Sequence, residues 1–511
     1  MLEEYKKQLK YFLTNKKYII PVIFVAILSY GFAITHYSIG VDDLCFDKYV
    51  TGPYILSAGR WGTWTLYNLF RIIEFTPFWL DFIVATFMII IAVVLCAFLK
   101  KEIGDKINTF GYIIFSSLLI SNPLINQFYI YQSTDLSIVI SNLWIIISAI
   151  YIYEKFFSER KTKKIVYITT VLLMSIPLSM YESCAQSYLV IMFLGIFIKL
   201  LQGEKDYKKL LKYFCFNIAI LIFSIIVYFI IGKIFILVLN ILGLTKPDLS
   251  LKKIMWTYNK FLEETILDKI TILKHFTIDQ FKQDFLSYLP VTMFFIFGFL
   301  AILVEIINAY KSKNAFKLFI LLGMILSNFI LIVLTIMVLY RIQFSWILTT
   351  AFLGLYFYCL SRKHKKLHYV VITILIFIIV LQTKNLNQLF FNDYKRYEFE
   401  KVAANQIAVD LIKGTNYKEK PIIYVNELEM SENLNKNYDN GYSVFLWGLN
   451  AFEKKGEEIT KFINYFGYEF LIATQEQYED ATEQYNELTD EEKKNNIVEL
   501  ENYIIVNLEK Y

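Results

Sequence analysis

The chain has 511 residues, of which 56% are hydrophobic and 19% charged, and its formal net charge is +5. Soluble chains carry about 45–50% apolar and about 25% charged residues, so a disordered chain, a fibrous protein and a simple globular enzyme are poor readings, and a membrane protein is the good one. The small net charge points to no nucleic-acid partner; what matters is where the charges sit along the chain.

The N-terminus, Met1 to Lys17, is polar and basic, and the first apolar run follows it without a small-residue cleavage site, so it reads as a retained first span. Eleven apolar runs then follow, centred on 18–38, 77–99, 110–130, 136–153, 165–181, 184–201, 213–241, 287–308, 316–340, 343–360 and 368–384. All but one are about 17–25 residues, the length at which a helix crosses the hydrocarbon core with its backbone satisfied internally. The run 213–241 is longer and reads either as one span or as a span plus an interfacial piece broken near Lys233.

Basic residues alternate with these runs. Lys6, Lys7 and Lys10, then Lys100 and Lys101, Lys155 to Lys164, Lys205 to Lys212, Lys311 to Lys317 and Arg362 to Lys366 all fall on one side, while the opposite short loops hold almost none. The positive-inside rule then puts the N-terminus in the cytoplasm and, for an odd span count, the C-terminus outside. The expected fold is an all-α polytopic membrane protein of about eleven helices over 1–384, with outer segments at 39–76 and 243–286 and a small external α/β domain over 385–511. In that last stretch 24 Asp and Glu face 13 Lys and Arg, a net of −11 against +16 for the rest. Strands are expected at 421–425, 468–472 and 503–506, with helices at 394–412 and 475–487 between them.

Five scattered cysteines and four histidines without ligand spacing give neither a disulfide framework nor a metal site, and none is expected. The densest candidate chemistry is the first outer segment. Asp42 and Asp43 follow the exit of the first span, with Asp47 a turn away. Two adjacent carboxylates beside an apolar surface split their pKa values, which leaves one able to act as a base. The same Asp42 is also a good N-cap for a short helix at 43–51.

Arg60 lies in Gly59-Arg60-Trp61-Gly62, where a guanidinium between glycines can grip an anionic oxygen bidentately. The flanking Trp61 suits a sugar face or the headgroup level. Asp135 with Gln132 and Ser133, Glu182 and Gln186 beside Tyr181, and Arg341 beside Tyr340 and Gln343 fall in the other outer turns. Together they suggest a polar cavity opening outward, with Arg341 suited to a lipid phosphate.

The order of these patterns resembles a known family. An outer loop with Asp-Asp and then Gly-Arg is followed by S-x-D-L-S-x-x-x-S at 133–141, S-M-Y-E-S-x-x-Q-S-Y-L at 179–189 and N-x-x-x-L-F-x-N-D-Y-x-R at 385–396. The chain is similar to the bacterial and phage membrane glucosyltransferases that decorate O-antigen, which have the multi-span GT-C architecture. The resemblance implies transfer of a hexose, usually glucose, from a polyprenyl-phosphate sugar to a cell-envelope glycan outside the plasma membrane, with inversion. It implies a catalytic carboxylate in the first outer loop, here Asp42 or Asp43. Arg60, Trp61, Asp135, Glu182, Gln186 and Arg341 are then the substrate-binding candidates, with no cofactor beyond the lipid-linked donor. Membrane lipid, a flippase and a donor-sugar synthase are the partners such a reaction calls for.

The alternative is a flippase or transporter of a lipid-linked sugar, which would want charged residues near mid-membrane. The runs are mostly clean there, with Asp81 and Glu305 near their ends. The external domain offers the aromatics Tyr438, Tyr442, Phe445 and Trp447, readable equally as core or as a sugar platform.

Overall fold

The computed structural model describes residues 2–45, 52–72, 76–158, 164–244, 265, 267–271, 274, 289–335, 340–429, 443–450 and 455–511. Asp47, Tyr438, Tyr442 and most of the outer segment 243–286 lie outside the described residues.

The helices in chain order are α1 (Leu2–Thr14), α2 (Lys16–Thr35), α3 (Pro53–Ser57), α4 (Trp61–Leu69), α5 (Pro77–Ile103), α6 (Thr109–Ile120), α7 (Asn126–Ile130) and α8 (Gln132–Phe157). They continue as α9 (Lys164–Met180), α10 (Cys184–Leu201), α11 (Tyr207–Ile241), α12 (Leu289–Ser312), α13 (Phe316–Leu326), α14 (Ile330–Thr335), α15 (Phe344–Ser361) and α16 (Lys365–Gly414). The C-terminal stretch holds β1 (Ile422–Val425), α17 (Val444–Asn450), α18 (Glu457–Tyr465), α19 (Gln475–Glu487), β2 (Ile497–Glu499) and β3 (Ile504–Asn507).

Among the described residues nine helices are long and apolar enough to cross a membrane, and a tenth is counted if the pair α6 and α7, bent by 41°, is one span. The chain is a polytopic membrane protein. The expected run at 165–181 is α9, an apolar helix of 17 residues that is not among the nine. Local chemistry explains the breaks. Pro123 has no N–H to continue α6, and the preceding Asn122 side chain accepts from Leu124 N at 3.1 Å, closing a short turn instead. The expected run 316–340 is likewise divided. Ser327 Oγ and Asn328 Nδ2 donate to the carbonyl of Met324 at 2.7 and 2.8 Å, competing with the helical ladder just before α14. The 213–241 run does not break near Lys233: α11 is one helix of 35 residues with Lys233 exposed on its surface.

The chain divides into two compact units. The first comprises Met1–Ile34, Asp47–Tyr129 and Thr134–Asn387; the second comprises Thr35–Phe46, Ile130–Ser133 and Gln388–Tyr511. Besides Gln388–Tyr511, the second unit takes the stretch carrying Asp42 and Asp43.

In the first unit α8, α10 and α15 bury most of their apolar surface, whereas α2, α11 and α12 bury about a third of theirs. Helices in lipid gain little from apolar contact alone, and polar pins hold the interior. Ser187 Oγ donates to Asn142 Oδ1 at 2.6 Å, Tyr188 OH to Asn217 Oδ1 at 2.6 Å, and Ser121 Oγ to Gln382 Oε1 at 3.0 Å.

In the second unit the strands form a sheet in the order β1-β3-β2, with β1 parallel and β2 antiparallel to β3. The expected strand at 468–472 is reduced to a single parallel bridge between Ile472 and Ile422. Strand alternation sends Ile423, Val425 and Ile505 to one face, where they bury against Tyr478, Ala481 and Tyr485 of α19. Tyr424 points the other way and shares a hydrogen bond of 3.1 Å with Thr460 of α18. The helix α19 starts at a capping box, Thr474 with Gln477, at the position the sequence assigns it. The expected helix at 394–412 is continuous with the preceding run, so α16 extends for 50 residues. Phe445 is buried against Phe462, whereas Trp447 is exposed.

Candidate functional site

In the second unit the chain leaves α2 and turns at Ile39-Gly40-Val41-Asp42-Asp43. Asp43 opens a 3-10 turn, Asp43–Cys45, and the rest of the expected helix, 46–51, lies outside the described residues. It closes the bend reciprocally: Asp43 N donates to Gly40 O at 3.2 Å, and Gly40 N donates to Asp43 Oδ2 at 3.0 Å. A side chain at position 40 would bring a Cβ within 3.3 Å of that carboxylate oxygen and 3.4 Å of the Ile130 carbonyl, so glycine allows this close approach.

Asp43 is buried, while Asp42 beside it is half-buried. Burial pushes the Asp43 carboxyl well above the ordinary carboxylate range. The neighbouring charges of Asp42 and Asp393 push the same way, and hydrogen bonds from the backbone of Gly40 and Ser133 oppose them. Among the described residues Asp43 Oδ1 makes no hydrogen bond, which leaves one carboxylate oxygen uncommitted.

Behind this bend lies a charge cluster to which the sequence reading gives no role. Arg396 on α16 is buried, with Asp393 one turn before it and Glu400 one turn after. Its Nε donates to Asp393 Oδ1 at 3.1 Å, its Nη1 pairs with Glu400, and its Nη2 donates to the carbonyl of Ile39 at 3.1 Å. Ser38 Oγ donates to the other oxygen of Asp393, and Ser443 Oγ donates to the other oxygen of Glu400 at 2.6 Å. The i, i+3 and i, i+4 spacing of Asp393, Arg396 and Glu400 was visible in the sequence, and the first two stand in the 385–396 pattern. Nothing in the sequence says that the three are buried.

The first unit holds the other candidates. Gly59, at φ +82°, makes the left-handed turn that sets Arg60 at the start of α4, and a Cβ there would collide with the Tyr228 hydroxyl. Arg60 Nε donates to Glu182 Oε2 at 3.4 Å, and its guanidinium carbon stands 4.8 Å above the Tyr181 ring. Burial pulls the Arg60 pKa down, but Glu182 and Tyr181 outweigh it and the guanidinium ends above its ordinary value. Arg341 opposes that rise, which places a second guanidinium within electrostatic reach of the first.

Trp61 is buried. Its indole donates to the Tyr228 carbonyl at 3.3 Å and leans on Phe235, so its ring packs inside the protein rather than presenting a free face for a sugar. Asp135, fully buried in the first turn of α8, accepts from its neighbour Leu136 N and from Tyr67 OH at 3.4 Å. Gln186 donates from Nε2 to the Asn328 carbonyl at 2.8 Å, and Trp346 Nε1 donates to the same oxygen at 3.0 Å. The Asn328 carbonyl thus gathers α10 and α15 at the α13–α14 break. Gln186 Oε1 is buried with no hydrogen bond among the described residues.

The structure therefore pairs Arg60 with Glu182 and leaves Arg341 within electrostatic reach of Arg60, seats Asp135 on Tyr67 and ties Gln186 to the Asn328 carbonyl, all in the first unit. Asp42 and Asp43 belong to the second. Among the described residues no group of three or more His, Cys, Asp or Glu side chains is placed to hold a metal ion.

Comparison with known families matches residues 31–358, well over half of the chain, to the family described as glucosyl transferase GtrII. Searches of curated proteins and of solved structures gave no match.

Proposed function

From the premise that the chain belongs to the GtrII glucosyltransferase family, we propose that it moves glucose from a polyprenyl-phosphate carrier to a cell-envelope glycan, with inversion at the anomeric carbon. The observation that carries this reading is Asp43. It is a buried carboxylate with one uncommitted oxygen, held in a bend by Gly40 and raised in pKa by burial and by two neighbouring carboxylates. A base tuned upward in this way is what deprotonation of a sugar hydroxyl near neutral pH calls for.

In the reaction the acceptor hydroxyl attacks the anomeric carbon from the face opposite the phosphate. Its proton passes to the Asp43 carboxylate as the new glycosidic bond forms and the bond to phosphate oxygen breaks. Asp42 orients the acceptor. Polyprenyl phosphate leaves with one more negative charge than it had as a diester, and cationic side chains stabilise that charge as it grows. Arg60 and Arg341 are our candidates for that task, with Glu182 and Tyr181 holding Arg60 in place. Asp135 and Gln186 are polar contacts for the sugar.

We assign the reaction to the outer face of the bacterial plasma membrane, with the N-terminus and the basic clusters in the cytoplasm, because positive charge is retained on the inner side. A flippase must then deliver the donor to that face, and a synthase must make it. The test uses purified protein in nanodiscs with synthetic polyprenyl-phosphate glucose, mannose and galactose, reading release of polyprenyl phosphate and sugar transfer to envelope glycan. Turnover of the glucose donor that is abolished by Asp42→Asn/Asp43→Asn supports the reading. Native turnover by that double variant sinks it.

A further inference from the structure

The buried cluster around Arg396 has no place in the chemistry above, yet it leads directly to the base. Arg396 Nη2 donates to the carbonyl of Ile39, and the N–H of Gly40 donates to Asp43 Oδ2, at 3.1 and 3.0 Å. That carbonyl and that N–H are the two ends of a single peptide group. The chain contains no cis peptide bond among its described residues, so the two ends point in opposite directions from one rigid plane. A guanidinium therefore grips one edge of the plane and a carboxylate hangs from the other.

Charge neutralisation does not require this arrangement. Asp393 and Glu400 already flank the guanidinium, and a buried arginine needs only its paired carboxylates to avoid an isolated charge. The third bond goes to backbone 357 residues away in sequence. Ser38, one residue before Ile39, is tied to Asp393, so the bend is held at two adjacent points. Glu400 is in turn fixed by Ser443, whose hydroxyl also accepts from Leu446 N at 3.1 Å. A charged donor on a peptide carbonyl polarises the amide and strengthens the hydrogen bond its N–H makes.

We propose that Arg396, locked by Asp393 and Glu400, is a positioning residue that aims and supports the Asp43 carboxylate through the Ile39–Gly40 peptide. The proposal rests on the reading of Asp43 as the base. Two effects follow. The plane cannot rotate without breaking a charged hydrogen bond, so the carboxylate keeps one orientation. The strengthened amide also favours the ionised form, which offsets part of the opposing push from Asp42 and Asp393. The other charged groups near the bend are Glu457, Glu458 and Lys461 on α18, which packs on the Asp43–Cys45 turn; Lys461 pairs with Glu457 at 2.9 Å. The charged donor seen on the Ile39 carbonyl is Arg396.

The experiment compares wild type, Arg396→Gln, Arg396→Lys and Asp43→Asn in nanodiscs, measuring folded yield, kcat, KM for polyprenyl-phosphate glucose, and the acidic limb of kcat/KM against pH. Misplacing a reacting group by a fraction of an ångström to one ångström costs up to about 100-fold, so Arg396→Gln should lower kcat by about 10- to 100-fold with donor KM within about twofold. Its acidic limb should move to higher pH, since the ionised carboxylate has lost support. Arg396→Lys keeps the charge between Asp393 and Glu400 but lacks the planar fork that reaches a third partner. It should fold like wild type and still show the lowered kcat and displaced limb. Folded Arg396→Gln or Arg396→Lys with wild-type kcat and limb overturns the proposal, and so does failure of both to fold, which would make the cluster structural. Asp43→Asn separates the two claims. If it keeps native kcat, the base assignment fails; if it is inactive while the Arg396 variants are native, only the positioning role fails.

Discussion

Arg60 donates to Glu182 at 3.4 Å while its guanidinium carbon sits 4.8 Å above the ring of Tyr181, so two consecutive residues of the α9–α10 turn hold one arginine from two sides. The geometry fixes the guanidinium without saturating it. Among the described residues Nε is the nitrogen that bonds to Glu182, and the forked Nη atoms are the ones suited to a phosphate.

If those nitrogens meet the leaving phosphate, Arg60→Ala removes charge stabilisation that grows in the transition state. Such losses are about 10²- to 10³-fold in kcat. Glu182→Gln should do much less, because a partly exposed pair such as this contributes about 0.2–1 kcal/mol, or about fivefold at most. Release of polyprenyl phosphate in single-turnover assays measures both. A Glu182→Gln variant as impaired as Arg60→Ala would mean that the carboxylate, not the arginine, is the functional partner.

Asp43 should shape both stability and rate through one titration. Burial first, and then Asp42 and Asp393, raise its carboxyl above the ordinary range, against the Gly40 and Ser133 backbone. The folded chain therefore keeps a proton that the unfolded chain, with a carboxyl near about 3.9, gives up first. The stabilisation from protonated Asp43 is complete below that unfolded value and is lost as pH rises through the raised folded value. Activity runs the other way, rising as the base ionises. Asp43→Asn should flatten the stability change across this window, read from thermal unfolding against pH, and lower kcat by about 10²- to 10⁴-fold.

Much of the fold was legible because lipid enforces a simple rule: a segment must bury its backbone within itself, and apolar length reports that directly. The starts of α5 and α10 coincide with the expected runs for this reason. The interruptions were not legible, because Ser327 and Asn328 compete with backbone carbonyls only once α13 is packed against α10. The candidate site was half legible. Adjacent carboxylates and a glycine-flanked arginine can be seen in a string of letters, and the Arg60–Glu182 pairing follows from turns expected on one side of the membrane. Trp61 was read for its indole alone, and its burial against Tyr228 and Phe235 depends on α11, more than 160 residues later. Arg396 was missed as a role for the same reason: its partner Ile39 is 357 residues away.

Gly40→Ala probes the bend without touching any charge. The added methyl carbon would stand 3.3 Å from Asp43 Oδ2, tight enough to displace it by a few tenths of an ångström, and 3.4 Å from Ile130 O, at the edge of ordinary contact. The carboxylate is the softer of the two, so it should move and its bond to Gly40 N should lengthen. The expected result is a kcat loss of about tenfold or more with folded yield retained, by the same sensitivity to misplacement that governs other positioned groups. Wild-type kcat for a folded Gly40→Ala would show that the reaction does not need this carboxylate where the structure puts it.

Glu305 and Lys317 test what holds the first unit together. Glu305 on α12 is 1% exposed; it pairs with Lys317 of α13 at 2.8 Å and accepts from Tyr356 OH on α15. A carboxylate this deeply buried is tolerable because a cation, a hydroxyl and the Asn308 amide, which donates at 3.2 Å, all serve it, and three helices meet there. Lys317→Met strips the cation and leaves an uncompensated charge, which costs about 3–5 kcal/mol in comparable buried pairs. Adding Glu305→Gln removes the stranded charge while keeping an acceptor for Tyr356, so the double variant should regain most of that loss. Denaturant unfolding in detergent reads both steps, and the double-mutant cycle should return a large coupling energy. Additive losses in the two single variants would mean that the pair is already screened and that Tyr356 and Asn308 secure Glu305 without the cation.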